Sequence, residues 1–173
     1  MATLLPELIN NYNVYNKGNQ WLGITGDVEL PELESVTETL EGAGMLGEID
    51  VSAVGHFSSG QLTVPFTTIN RNVFEALDFA HPLELQLRAS KQNANKASGG
   101  CTYTPTRVVV RGMSHTLELG HLTKGKQMET SLEIEYTYIK IEDEGFTVLE
   151  LDKLNNVFIV NGTDQLAAIR AQI

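Results

Sequence analysis

The sequence predicts a mainly β fold of the β-sandwich or barrel-like kind, with a short flanking helix and a C-terminal helix. Residues 83–89 alternate apolar and polar side chains, as a half-buried strand does. Residues 106–111 form a β-branched run between Pro105 and Gly112. The longest strand candidate covers residues 130–141, and its apolar side chains change face near its middle. This change predicts that the strand has different neighbours at its two ends.

The N-terminal half contains further strand predictions. Residues 13–27 contain a predicted hairpin, because residues 16–19 have the composition of a tight turn. Residues 48–54 and 60–66 are predicted strands, and the segment 55–60 is the turn region between them. Together these segments indicate that β structure begins early in the chain.

Two helices are predicted. Residues 70–79 place apolar side chains at helical spacing, and Asn70 or Asn72 suits the N-cap position. Residues 163–171 form the predicted C-terminal helix, with Thr163 as its N-cap. After a turn, residues 146–151 form a strand that returns along the end of the long 130–141 strand.

Residues 1–173 are expected to form a single domain, because the length suits one domain and no linker divides the chain. Two segments are predicted to be extended loops. Residues 41–47 hold three glycines, and residues 89–100 show no hydrophobic period. Loops of this kind either carry function or are mobile.

The charge of the chain argues against a nucleic-acid-binding protein. The formal net charge is −10, whereas such proteins place lysine and arginine against phosphates. Residues 88–127 nevertheless carry seven basic residues and one acidic residue, between two acidic segments. These complementary surfaces either pair within one domain or favour head-to-tail association of subunits.

No catalytic or cofactor-binding constellation is recognisable. The glycine spacing in residues 42–47 resembles a dinucleotide-binding loop, but a predicted strand follows where a helix is required. The single cysteine, Cys101, excludes a disulfide framework, and the four histidines lack metal-ligand spacing. We therefore predict no enzyme activity, cofactor or metal. The chain has no apolar run of membrane-spanning length and no signal peptide, which predicts synthesis in the cytoplasm without a membrane anchor.

Several segments, taken in order along nearly the whole chain, resemble the major tail tube proteins of contractile-tailed bacteriophages. That family also builds the tubes of tail-derived, R-type bacteriocins, and the sequence leaves phage and bacteriocin origins open. The segments that carry the resemblance are residues 13–19 with Gly23, 28–33, 41–47, 109–112, 119–120 with 124–125, 136–138, 151–152 and 161–170.

The resemblance implies a structural subunit that forms hexameric rings whose sheets join around a lumen. The rings stack into a hollow tube, which sheath contraction drives through the target envelope. Its implied partners are other copies of the chain, a sheath protein, and baseplate and terminator proteins at the tube ends. DNA would pass through the lumen without specific binding. The implied location is a virion tail or tail-like particle.

Candidate assembly residues follow from this reading. The contacts between rings and subunits are assigned to the two loops, which are expected to order on assembly; the alternative is that they are mobile surface loops. Glu133 and Glu135 are lumen-lining candidates, because an acidic lumen repels DNA phosphates; the alternative is an outer face that contacts the sheath or solvent. The contact candidates are Glu41, Gly42, Ala43, Gly44, Met45, Leu46, Gly47, Lys91 and Lys96.

Two other classes of protein are rivals. A monomeric β-sandwich module that binds carbohydrate would need exposed aromatic side chains, whereas this chain has one tryptophan, Trp21, and 7% aromatic residues. An enzyme would need a catalytic constellation. Concentration-dependent mass separates an assembling subunit from both rivals.

Overall fold

A computed structural model describes residues 4–21 and 26–173, and the mainly β prediction is confirmed. In chain order the strands and helices are β1 (Leu4–Asn16), β2 (Asn19–Trp21), β3 (Ser35–Leu40), β4 (Ile49–Phe57), β5 (Gln61–Phe66), α1 (Arg71–Ala76), β6 (Leu83–Asn95), β7 (Cys101–Glu118), β8 (Thr130–Asp143), β9 (Phe146–Asp152), β10 (Val157–Val160), β11 (Thr163–Asp164) and α2 (Ala167–Arg170).

Nine of these strands form one sheet, in the order β11-β10-β9-β8-β7-β6-β1-β2 with β5 paired to β8. Strand β8 follows β7 along one edge. On its other edge it pairs with β5 through residues 130–135 and with β9 through residues 138–143. The predicted change of neighbours is therefore confirmed, and strands β3 and β4 form a separate two-stranded sheet.

A bulge explains why the apolar face of β8 changes. Arg111 pairs with Tyr138 and the next residue, Gly112, pairs with Tyr136, so Thr137 has no partner on β7. One extra residue reverses the side-chain alternation. Consequently the buried positions of β8 are even-numbered up to Tyr136, whereas the next buried position, Ile139, is odd-numbered.

The core lies on one face of the large sheet. Its buried side chains come from β1, β2, β5–β9 and α1, and include Val14, Trp21, Leu62, Phe66, Val73, Leu85, Val110, Leu132, Tyr136 and Leu151. Helix α1 covers part of this core. Of the two predicted candidates, Asn70 is the N-cap, and it accepts a hydrogen bond from the Val73 N–H at 3.1 Å. The last residue of α1, Ala76, accepts a 2.6 Å hydrogen bond from the buried Ser114 hydroxyl.

The prediction of an extended loop over residues 89–100 is wrong for most of that segment. Strand β6 continues to Asn95, β7 begins at Cys101, and only the turn between them is irregular. The segment lacks a hydrophobic period because hydrogen bonding to β1 and β7, rather than burial of an apolar face, holds it in the sheet. Asn93, although polar, is buried and donates to the Thr104 hydroxyl at 2.9 Å.

Both helices are shorter than predicted. The C-terminal helix covers only Ala167–Arg170, because Thr163 pairs with Val160 in a strand instead of capping a helix. Helix α1 ends at Ala76, and beyond it Asp78 accepts a hydrogen bond from the Ala80 N–H.

Strand boundaries also differ from the predictions. The turn predicted at residues 16–19 joins β1 to β2, but β1 begins much earlier, at Leu4. The predicted hairpin extended through residues 22–25, which lie outside the described residues. The strand predicted at 48–54 runs from Ile49 to Phe57, into the expected turn region.

Candidate assembly surfaces

Strands β3 and β4 form a hairpin, here called the arm (residues 35–57), which carries the predicted 41–47 loop at its tip. Every residue from Val36 to Val54 is exposed. Seven of these are large apolar side chains: Val36, Leu40, Met45, Leu46, Ile49, Val51 and Val54. A monomeric protein rarely exposes so much apolar surface in one place. The arm therefore has the composition of a surface that becomes covered by a partner.

The arm is also acidic. It carries Glu38, Glu41, Glu48 and Asp50, and the sequence has no lysine or arginine between Lys17 and Arg71. Within the arm, Asp50 accepts a 2.7 Å hydrogen bond from the Thr39 hydroxyl on the opposite strand. At the tip, the Met45 N–H donates to the Gly42 carbonyl at 3.1 Å. The arm thus presents apolar and negatively charged groups together.

A second projection was not recognised as a contact surface from the sequence. It is the basic loop (residues 119–129), which joins β7 to β8 and carries His121, Lys124 and Lys126. Residues 119–128 contain no acidic residue, and this was the signal that could have identified the loop. Within the loop, Leu122 is 90% exposed.

The base of the basic loop is held by backbone contacts. The N–H of His121 donates to the Met128 carbonyl at 2.7 Å, and the Met128 N–H donates to the Thr67 carbonyl at 2.9 Å. Gly120 has φ +70°, and a Cβ there would lie 1.9 Å from the Met128 carbonyl oxygen. Glycine is therefore required at this close approach, which holds the start of the loop against its end.

The outer edge of β1 is the third surface. Strand β1 pairs with β6 along its length, whereas β2 covers only Val14–Asn16 on the other side within the described residues. The uncovered part bears exposed Leu4, Leu5, Leu8 and Ile9. An apolar strand with an unpaired edge is a template for pairing with another chain.

An apolar groove of about 290 Å³ adjoins this edge. Ile9 and Tyr12 of β1 line it together with Leu30 and with Leu87 and Val108 of the neighbouring strands. Leu87 and Val108 also belong to the core, so the apolar surface at this edge extends onto the core face.

The predicted lumen candidates, Glu133 and Glu135, lie on the face of the sheet opposite the core. Both alternate with the buried residues of β8 and are half-buried. The carboxylate of Glu135 accepts a 2.8 Å hydrogen bond from the Ser59 hydroxyl. Glu118 of β7 is on the same face and accepts from Ser131 at 3.1 Å. This end of the face is acidic.

The other end of that face carries mixed charge. Glu142 pairs with two cations. One is the Arg107 guanidinium, and the other is the Lys140 ammonium, which lies 3.0 Å from the Glu142 carboxylate. The hydrogen bond from Lys140 has the largest effect on the pKa of Glu142 and lowers it from its usual value, and the hydrogen bond from Arg107 lowers it further. Arg111 donates to Glu84 at 3.0 Å and likewise lowers its pKa. Three cations therefore share two carboxylates beyond the acidic end.

The two predicted lysine contacts differ from each other. The Lys91 ammonium lies 2.6 Å from a carboxylate oxygen of Asp143, so the pair is internal to the subunit. Lys96 is exposed in the turn between β6 and β7. The structure thus leaves Lys96 open to a partner and engages Lys91 within the chain.

Four aromatic side chains, Phe74, Phe79, Tyr103 and Phe146, are exposed among the described residues, whereas the one tryptophan is not. Trp21 is buried and packs against Phe66 with ring centroids 5.7 Å apart, so it cannot stack on a sugar. Among the described residues, no group of three or more His, Cys, Asp or Glu side chains could hold a metal ion. The two helices in the described part of the chain, of six and four residues, are too short to span a bilayer.

Comparisons with known proteins agree with one another. The family described as "Phage tail tube protein FII" matches residues 6–173. The tail tube protein of Escherichia phage P2 is 24% identical over 169 residues, which cover 98% of each chain. The major tail tube protein of Serratia phage KSP20 is 24% identical over 158 residues, covering 91% of this chain and 90% of the relative.

Proposed function

Because the chain belongs to the phage tail tube protein FII family, it is a structural subunit of a tail tube, and we propose that six copies close into a ring and that rings stack into the tube. The observation that carries this proposal is the arm, whose residues 36–54 are all exposed despite seven large apolar side chains. Assembly would remove that apolar surface from water, which is favourable.

The edge of β1 that has no partner among the described residues is the contact proposed to close the ring. An edge that pairs with a neighbouring subunit satisfies its backbone groups, and ring closure removes the free edges altogether. The exposed Leu4, Leu5, Leu8 and Ile9 would be covered at the same time. Such a contact is heterologous, because it joins one surface of a subunit to a different surface of the next.

The arm tip, residues 41–47, is proposed to make the ring-to-ring contact. Its acidic and apolar surface complements the basic loop, where Leu122 is exposed beside Lys124 and Lys126. Complementary charge fixes the register of two partners and suppresses incorrect pairings. Lys96 is a further proposed contact, whereas Lys91 contributes through its internal ion pair with Asp143.

The face that carries Glu133 and Glu135 is proposed to line the lumen. Carboxylates there repel a duplex that carries one negative charge per ~1.7 Å. DNA can then slide past the wall without being retained. At the other end of the face, Arg107, Lys140 and Arg111 each pair with a carboxylate of the same subunit, which weakens their attraction for phosphate.

The remaining parts of the proposal concern the complete particle. The tube is proposed to lie inside a contractile sheath, with baseplate and terminator proteins at its ends, in a phage tail or a tail-like bacteriocin made in the bacterial cytoplasm. The subunit is proposed to have no catalytic step of its own, and its work is done by assembly.

Shortening the arm tests this function. Residues 41–47 are replaced by a two-residue turn, and the sedimentation of wild-type and shortened subunits is compared over a concentration series. We expect the wild type to form large assemblies and the variant to stop at monomers or single rings with an unchanged circular dichroism spectrum. Long tubes from the shortened variant would contradict the stacking role. A wild type that stays monomeric at every concentration would contradict the function itself.

A further inference from the structure

The base of the arm contains an irregularity in β4. Ser35 pairs with Phe57 and Thr37 pairs with Ser52, so residues 53–56 have no partners on β3 within this register. Gly55 lies in this bulge with φ +81°, a conformation that favours glycine. A bulge bends the strand that contains it. The direction of the outer arm is therefore set at this point.

The side chain of Leu166 fills the space beside the bulge. A Cβ on Gly55 would lie 2.5 Å from Cδ2 and 2.7 Å from Cδ1 of Leu166. Leu166 is only 6% exposed, although it lies in the C-terminal segment just before α2. The absence of a side chain at Gly55 thus lets the leucine pack directly against the backbone of the bulge.

Two further contacts hold the base of the arm. The rings of Phe57 and Phe158 meet edge to face, with centroids 4.9 Å apart. The Lys153 ammonium donates to the Ser58 carbonyl at 3.0 Å and lies 3.9 Å from the centroid of the Tyr136 ring. These contacts fix the inner end of the bulge, while Leu166 supports its middle.

The segment that carries Leu166 is itself anchored. The Leu166 N–H donates to the Asp164 carboxylate at 3.0 Å, and Asp164 pairs with Arg170. The Arg170 guanidinium also donates to the Asn156 carbonyl at 2.7 Å. The Gln165 N–H donates to the Phe158 carbonyl at 2.8 Å, which ties the segment to β10. Leu166 is therefore held by the large sheet rather than by a free tail.

We propose that Leu166 is a positioning residue, which holds the arm at the angle required to reach the next ring. This inference rests on the proposed function of the arm. The bulge at residues 53–56 is the hinge of the arm. If the hinge is already ordered, it loses little conformational entropy when the arm docks, whereas a mobile hinge must be ordered by the docking itself. The C-terminal segment thereby acts on ring stacking without contacting the neighbouring ring.

Arm mobility in the isolated subunit tests the proposal without requiring assembly. Spin labels are attached at Met45→Cys in the arm tip and at Glu144→Cys in the turn after β8, in a Cys101→Ser background. Distances are measured by pulsed electron paramagnetic resonance below the assembly concentration. We expect one narrow distance distribution for the parent protein and for Leu166→Met, and a broad one for Leu166→Ala. Equal widths in all three would overturn the proposal.

Tube formation by the unlabelled variants supplies the second readout. The critical concentration should rise roughly tenfold in Leu166→Ala, because each docking arm must now be ordered, and Leu166→Met should resemble the wild type. An unchanged critical concentration would overturn the proposal while leaving the proposed function intact. Failure of the wild type to form tubes would instead contradict the function, and the distance widths would still decide the hinge. If Leu166→Ala does not fold, Leu166→Val takes its place in both measurements.

Discussion

The ammonium group of Lys91 lies 2.7 Å and 2.6 Å from the two carboxylate oxygens of Asp143, across the strand that separates them. Lys91 belongs to β6 and Asp143 to β8, and the intervening β7 contributes the Thr106 hydroxyl, which donates to Asp143 at 2.8 Å. The pair therefore joins three strands at the end of the sheet where the core no longer packs them.

Removal of one partner of this pair should destabilise the subunit. The Lys91 side chain is 18% exposed, so Lys91→Met leaves a carboxylate that is partly removed from water. We expect a loss of roughly 1–2 kcal/mol in the free energy of unfolding, above the median for exposed ion pairs. A double-mutant cycle with Asp143→Asn measures the coupling by urea denaturation. A coupling energy near zero would show that the pair does not stabilise the sheet.

The same pair should contribute to the acid sensitivity of the fold. The hydrogen bond from Lys91 has the largest effect on the pKa of Asp143 and holds it below its ordinary value, and the hydrogen bond from Thr106 acts in the same direction. A carboxyl whose pKa is lowered on folding stabilises the protein above its unfolded pKa of about 3.9, and this stabilisation is lost as the pH falls through the lowered folded value. Asp143→Asn should therefore flatten the decline in melting temperature below about pH 4. An unchanged decline would contradict the assignment.

Much of the sheet could be predicted from the sequence where strands bury a face. The alternation of Leu132, Ile134 and Tyr136, followed by Ile139 out of phase, predicted both β8 and its change of neighbours. The cap at Asn70 was likewise readable, because asparagine satisfies a free helix N–H.

The surfaces proposed for assembly left weaker signals. Residues 89–95 pair on both edges but are largely polar, so no hydrophobic period marks them as a strand. The arm buries neither face in the isolated subunit, and the pattern of its apolar residues therefore depends on a partner that a single chain does not reveal. The packing of Leu166 against Gly55 joins residues far apart in the sequence, which local patterns cannot predict.

Lysines on the free edge of β1 should block ring closure. Leu5 and Leu8 are 49% and 52% exposed, so Leu5→Lys with Leu8→Lys should change the stability of the monomer little. Lysine on an edge strand opposes pairing with another chain. We expect a folded monomer at concentrations where the wild type assembles, measured by light scattering. Leu154→Lys with Ile173→Lys, at exposed positions outside the proposed contacts, is a control for added charge. Normal assembly of the edge variant would refute the assignment of this edge.

Charge exchange tests the contact between the arm and the basic loop. Lys124→Glu with Lys126→Glu places like charges opposite the acidic arm, and the critical concentration for tubes should rise roughly tenfold or more. Adding Glu41→Lys and Glu48→Lys restores opposite charges and should recover much of the loss. Tube formation is followed by pelleting at low salt, where exposed charges are least screened. If the quadruple variant assembles no better than the double variant, the arm and the basic loop do not contact each other in the tube.

Reversal of the acidic face tests the lumen assignment. Tubes of Glu133→Lys with Glu135→Lys should retain a short fluorescent DNA duplex in a salt-dependent manner, because the wall now attracts phosphate. Retained DNA should also resist nuclease if it lies inside the tube. Glu144→Lys, in the turn after β8, is the control for charge elsewhere. Retained DNA that nuclease digests freely would place the acidic face outside the lumen.

Self-assembly can be observed directly by electron microscopy of the purified wild-type subunit in negative stain across a concentration series. We expect hollow rings or tubes of uniform diameter, which lengthen as the concentration rises. A single population of monomers at every concentration would contradict self-assembly as the function of this chain.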